Sequence, residues 1–155
     1  MAQEDKELLI KDLCARLDTN LVCSIYRTDD EGVGYRDEVL HGYCKGDIWY
    51  EFYFREDCSI GIDEVSKIKP YLFPLSSMTE EQLYEIKEIT EFKYNHNTLE
   101  LVKWTETHTT LEFWLEEVPQ YKVIEVFDWL NKNHFDYRGL IEKGLAIDAT
   151  GLDVY

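Results

Sequence analysis

The sequence predicts an α+β fold in one domain. Three observations carry that prediction. Apolar residues recur at helical spacing in three separated stretches, near residues 4–17, 80–90 and 120–133. Between the first two lie short runs rich in β-branched and aromatic residues, punctuated by glycine and acidic turns. A chain of 155 residues with 45% apolar and 14% aromatic content closes a core without disulfide or metal staples. The expected order is an N-terminal helix, a small antiparallel and partly barrel-like sheet, a central helix, a β-hairpin and C-terminal helices. One domain, 1–155, is expected, with 1–75 (helix plus sheet) and 76–155 (helix, hairpin, helix) as its subdivision.

The first helix spans residues 4–17, where Leu9, Ile10, Leu13, Cys14 and Leu17 make one stripe. Asp5 and Glu7 suit the positive end of its dipole, and Asp18-Thr19-Asn20 stops it. Residues 21–27, LVCSIYR, read as a strand, and 28–34, TDDEGVG, as an acidic, turn-rich loop. Residues 36–44 and 47–55 read as two more strands joined by a tight turn at Lys45-Gly46-Asp47. In the second, Ile48, Tyr50, Phe52 and Phe54 alternate with Trp49, Glu51, Tyr53 and Arg55 and are expected to face the core. Residues 58–62 form a short fourth strand with Gly61 at a bend.

Residues 69–79 read as a connector, because Pro70 and Pro74 oppose regular structure around them. Thr79 fits an N-cap with Gln82 as its capping-box partner, opening a helix over 80–90 that buries Leu83, Ile86 and Ile89. Asn95-His96-Asn97 is a turn, and 99–104 with 109–115 form the hairpin. Pro119 opens the long helix 120–133, whose stripe is Val123, Val126, Phe127 and Leu130, and Asn133-His134 ends it. Asp136 is expected to cap a short helix over 137–143, closed by Gly144, and the polar tail from Asp148 to fray.

The charge balance excludes more than it selects. Sixteen Lys and Arg against thirty-two Asp and Glu give a formal net charge of −16. A field of that sign repels phosphate backbones and anionic membranes, so direct nucleic-acid and membrane binding are not expected. Two readings stay open. The acid keeps a soluble protein dispersed, or it engages a basic partner, imitating nucleic acid. No run approaches the roughly 18 apolar residues of a membrane span. The acidic opening Gln-Glu-Asp-Lys-Glu has neither the basic start nor the apolar core of a leader. Cys14, Cys23, Cys44 and Cys58 lack Cys-x-x-Cys spacing, which points to free, mostly buried thiols in a reducing cytoplasm.

Site chemistry is sparse. Gly32-Val33-Gly34 lacks the third glycine and the strand-to-helix setting of a phosphate loop. A calcium loop beginning at Asp29 would place Leu40 where a bidentate carboxylate is needed. His41, His96, His108 and His134 form no metal-ligand spacing, and no Gly-x-Ser-x-Gly occurs. No catalytic residue, cofactor or metal is therefore expected. The segment His134-Phe135-Asp136-Tyr137-Arg138-Gly139 reads either as a recognition patch anchored by Tyr137 and Arg138 or as an interhelix corner, with Phe135 packed inward and Asp136 capping.

Three phrases, KELLIKDLCARL at 6–17, VSKIKPYLFPLSSMTEEQ at 65–82 and FDWLNKNHFDYRGLIEKGLAIDA at 127–149, resemble a family of short uncharacterised proteins of phages, prophages and mobile elements of gut-type bacteria. The resemblance implies a phage or mobile-element setting, hence the cytoplasm of a bacterial host cell, and brings no catalytic residues. The function expected is a non-enzymatic accessory protein working by protein contact, with an acidic inhibitor of a host nucleic-acid-binding defence protein as its sharpest form. Other classes are a metal-dependent hydrolase or nuclease using the acids, and an assembly component of a phage particle. The candidate partner-binding residues are Asp29, Asp30, Glu31, Asp37, Glu38, Glu80, Glu81, Glu85, Glu88, Tyr137 and Arg138.

Overall fold

Helices and mixed sheets make up the structure, the α+β class that the sequence predicts. The computed structural model describes residues 1–29, 32–45, 50–55, 58–89 and 120–155. The expected hairpin of 99–104 and 109–115, the turn at 95–97, Pro119, and Gly46 through Trp49 lie outside the described residues. The chain divides into two compact units, Met1–Leu72 with Leu140–Tyr155, and Phe73–Gly139.

In the first unit, helix α1 (Gln3–Ala15) lays Leu9 and Leu13 into the core. Positions 9, 12, 13 and 16 fall on one side of a helix, so Asp12 and Arg16 go in with them, both fully buried. Arg16 Nε donates to Asp12 Oδ2 at 2.8 Å and Nη2 donates to Oδ1 at 3.1 Å, a two-pronged pair. Cys23 lies beside it, its thiol pushed far up by burial first and by Asp12 second. Asn20, at φ 56°, turns the chain after the helix, in a backbone region that asparagine tolerates better than most residues.

Strand β1 (Val22–Asp29) pairs antiparallel with β2 (Gly32–Val39), from Val22 opposite Val39 to Asp29 opposite Gly32. Of residues 28–34, expected as a loop, 28–29 and 32–34 are strand, and 30–31 lie outside the described residues. Acidic and glycine-rich composition disguised the pairing, which needs only backbone groups. The expected strand 36–44 is two strands, β2 and β3 (Gly42–Lys45). Leu40 N–H donates to Leu21 O and His41 N–H to Tyr53 O, each at 2.8 Å, so the chain changes sheets between these residues. Strands β3, β4 (Tyr50–Arg55) and β5 (Cys58–Gly61) form the second, antiparallel sheet. Phe52 and Phe54 are fully buried, as their alternation predicts. Among the described residues the sheets do not close into a barrel.

A 3-10 helix, Ile62–Lys67, leads into β6 (Ile68–Pro74), where a connector was expected. Proline removes one donor but does not forbid a strand where a ladder ends. Pro70 stands at the last position of the antiparallel ladder with β1, opposite Cys23. From Tyr71 the strand takes a new partner, β8 (Ile147–Asp148), in parallel.

The C-terminal stretch differs most from expectation. Residues 137–143 are not a helix. Gly139, inside that stretch, takes φ of 70°, a left-handed geometry that interrupts a right-handed helix, and a turn runs through Leu140–Gly144. The tail is tied down. Ala149 is fully buried and its N–H donates to Leu72 O at 2.8 Å. The Tyr155 hydroxyl donates to Tyr71 O and accepts from Val22 N–H, bridging β1 and β6 just past the end of their ladder.

The second unit is built on helices α2 (Glu80–Ile89) and α3 (Gln120–Lys132). The capping box forms as expected. Thr79 N–H donates to Gln82 Oε1 at 2.9 Å, and Gln82 N–H donates to Thr79 Oγ1 at 3.3 Å. Leu75, Ile86, Val126, Leu130 and Phe135 make the core, with Leu83 buried nearby in α2. Strand β7 (Phe135–Asp136) pairs in parallel with Phe73 and Pro74. His134, at φ 58°, ends α3 in the left-handed region.

Removing one member of the Asp12–Arg16 pair strands a buried charge. Arg16→Met is expected to destabilise by about 3–5 kcal/mol in denaturant unfolding, and Asp12→Leu with Arg16→Met to recover most of that. A full loss in the double variant would show that the pair itself is indispensable.

The Tyr155 phenol is held far above the ordinary value of 10, by burial first and by Cys23 second. Its ring is half exposed, with the oxygen turned inward against the backbone. The folded state thus holds this proton more tightly than the unfolded state, so its contribution is complete below pH 10 and is lost as pH rises above it. Between pH 9 and 12 stability should fall, and the slope should be shallower in Tyr155→Phe. An unchanged slope would remove Tyr155 from the linkage and leave Cys23, whose thiol is shifted in the same direction.

Candidate protein-binding face

Alternate residues of a strand share a face, and the β1–β2 register therefore gathers an unusual set on one side. Tyr26 stands opposite Tyr35, Ser24 opposite Asp37, and Thr28 opposite Val33. Lys69 of β6 lies opposite Ser24, and Tyr71 is two residues further on the same face. The other face carries Cys23, Ile25, Ile68 and Pro70 into the core. What remains outside is aromatic. Tyr35 is 66% exposed, Val33 65% and Tyr26 38%. The Tyr26 and Tyr35 rings meet edge to face, centroids 5.2 Å apart at 63°.

Asp37 is exposed beside them and accepts a hydrogen bond from the Tyr71 hydroxyl at 3.0 Å. The Tyr71 phenol is pushed up by burial first and by its bond to Asp37 second, so it stays a donor to that carboxylate across the physiological range. One bond leaves most of the acceptor capacity of Asp37 open, since a carboxylate offers about four lone-pair sites. Among the described residues no cation pairs with it. The face therefore combines tyrosine rings, an apolar valine and a positioned anion.

The candidate partner-binding residues meet different fates. Asp29 closes β1, opposite Gly32. Asp30 and Glu31 lie outside the described residues. Glu38 is buried on the core side of β2 and accepts from Arg27 Nη1 at 3.0 Å, so it presents nothing to a partner. Glu80 and Glu81 are exposed in the first turn of α2, where they complement the helix dipole. Glu85 is exposed and accepts from Trp129 Nε1 at 2.9 Å, and Glu88 is exposed. These helix acids belong to the second unit and Asp37 to the first.

Tyr137 is buried and donates to Asn131 Oδ1 at 3.0 Å, which removes it as a surface anchor. The Arg138 guanidinium lies 4.5 Å above the Tyr137 ring. Phe135 packs inward against Trp129, the rings nearly parallel at 5.7 Å. Asp136 Oδ1 accepts from Arg138 N–H at 3.3 Å, a local turn rather than a helix cap. The segment is a packed corner.

Among the described residues no group of three or more His, Cys, Asp or Glu is placed to hold a metal ion, and no helix is long and apolar enough to cross a membrane. The chain matches no family model, no curated protein and no solved structure.

The two carboxylates adjacent in β2 should behave as opposites. Glu38→Ala leaves Arg27 facing a partly desolvated vacancy and is expected to destabilise by about 3 kcal/mol. Asp37→Asn should stay within about 0.5 kcal/mol, as surface changes do. Tyr35→Ala, which removes one cross-strand contact, should lose at most about 1 kcal/mol. Thermal and denaturant unfolding of the three variants test the assignment, and equal losses at Glu38 and Asp37 would contradict it.

Proposed function

We propose that this protein is a non-enzymatic accessory protein of a phage or mobile element that acts in the bacterial cytoplasm by binding a basic protein surface. The nucleic-acid groove of a host defence or processing enzyme is the surface it suits best. The observation that carries this reading is the exposed Tyr26–Tyr35 pair beside Asp37, in a chain of net charge −16.

Charge and aromatic surface play separate parts. An excess of −16 lies well beyond the roughly 2–8 that keeps a small domain dispersed. Such a field attracts lysine- and arginine-lined grooves and speeds encounter with them. It gives little residence by itself, because exposed charges remain solvated. Tyrosine is among the residues that most often dominate interface energetics, since its ring buries a large area at low entropy cost. The two internal pairs, Asp12–Arg16 and Glu38–Arg27, are each neutral, so burying them leaves the acidic excess to other residues.

The test starts from the protein captured from a host cell extract. Its affinity for the isolated partner should fall at least about tenfold between about 50 and 300 mM salt, as the screening length drops from about 14 to about 6 Å. Tyr26→Ala with Tyr35→Ala should abolish binding while the fold is kept. Affinity that ignores both salt and this double substitution would refute the proposal and point to an uncharged interface elsewhere.

A further inference from the structure

We infer that the Tyr26–Tyr35–Asp37 face selects arginine over lysine and seats one arginine side chain of its partner. The inference rests on the protein-binding reading above and names the chemistry of that same face.

The choice of occupant follows by elimination from charge. A second copy of the chain brings another −16 to a face that already carries an exposed carboxylate. Nucleic acid and anionic lipid bring the same sign, and the face offers Lys69 as its single described cation, half buried. A neutral apolar partner would leave Asp37 desolvated and unpaired, which is unfavourable. A basic polypeptide satisfies both the rings and the carboxylate.

Geometry then separates the two basic side chains. Tyr35 and Asp37 are two apart on one strand, so their side chains leave the same face about 7 Å apart. A guanidinium is a flat group that lies over a ring while its edge N–H groups reach a carboxylate in the same plane. An edge-to-face pair uses only one of its four ring faces, and Tyr35 is 66% exposed, so ring surface stays open on the face that also carries Asp37. Tyr71 donates to Asp37 from within the sheet and holds the carboxylate in place. An ammonium is compact and strongly hydrated, and it gains less from stacking. The same chain already stacks a guanidinium on a tyrosine at Arg138 and Tyr137.

The experiment titrates the full-length protein with two synthetic peptides of equal length and charge, one Gly-Arg repeat and one Gly-Lys repeat. Binding is followed by calorimetry and by the ring resonances of Tyr26 and Tyr35. The arginine peptide is expected to bind about three- to fivefold tighter and to move those ring signals. Asp37→Asn and Tyr35→Ala should each erase the preference, and Tyr35→Phe, which keeps the ring, should retain it. Equal affinity for the two peptides, no binding of either, or a preference that survives Asp37→Asn and Tyr35→Ala would overturn the inference. Loss of the preference with continued, Tyr26- and Tyr35-dependent capture of a host protein would remove the arginine assignment alone. Capture that ignores the tyrosines would remove the binding face itself.

Discussion

Strand β6 joins more partners than any other described strand, and it does so while carrying two prolines. Its seven residues serve three partners in succession: β1 along Ile68–Pro70, β8 along Tyr71 and Leu72, and β7 along Phe73 and Pro74. Each proline stands at the last position of a ladder, Pro70 of that with β1 and Pro74 of that with β7. In the first unit the β1–β6 ladder stops at Cys23 and Pro70, and Val22 N–H and Tyr71 O lie beyond it. A phenol from the far end of the chain, Tyr155, meets both with one donated and one accepted bond. A buried or half-buried backbone polar group needs a partner, and here a side chain supplies what a strand cannot. The C-terminal stretch is ordered by the same need, through the Ala149 bond to Leu72.

How much of this was legible depends on the range of the interaction. The capping box at Thr79 and Gln82, the stripe of α3 and the alternation of Phe52 and Phe54 are set by neighbours in sequence, and the sequence predicts them. The strand through Pro70 and Pro74 is set by distant partners, so local rules for proline pointed the wrong way. The segment after Gly139 failed for the same reason. Its helical composition is overruled by Gly139 in left-handed geometry and by the burial of Leu140, Leu145 and Ala149. In α1 the apolar stripe forms as expected, but nothing local in the sequence marks Asp12 and Arg16 as a buried pair.

The Tyr26–Tyr35 face shows the limit of composition more sharply. Counting acids singled out residues 29–38 as a unit, yet neighbouring members of β2 point to opposite faces. Glu38 is spent on Arg27 inside the sheet, and Asp37 faces solvent beside two rings. The signal that separates them is register, Tyr26 against Tyr35 and Ser24 against Asp37. Register is hidden when the acidic, glycine-rich residues 28–34 are read as a loop. Once strand β2 is begun at Gly32, the alternation Val33, Tyr35, Asp37 is evident in the sequence itself.

The division of labour between charge and rings has a physical consequence for specificity. A field from many carboxylates is smooth at the distance of an approaching groove, so it distinguishes basic surfaces from acidic ones and little else. Discrimination among basic surfaces requires contacts that vary over a few ångströms, and those come from groups with shape. The Tyr26–Tyr35 pair has a fixed edge-to-face geometry, and Asp37 is held from behind by the Tyr71 hydroxyl. Both are mounted on a β1–β2 ladder eight residues long, whose inner side is anchored in the core. Side chains on such a ladder lose less freedom on binding than they would on a loop, so more of each contact is expressed as affinity. A flexible acidic loop at this position would have matched the composition equally well, and would have offered the proposed partner charge without a fixed arrangement of rings and carboxylate.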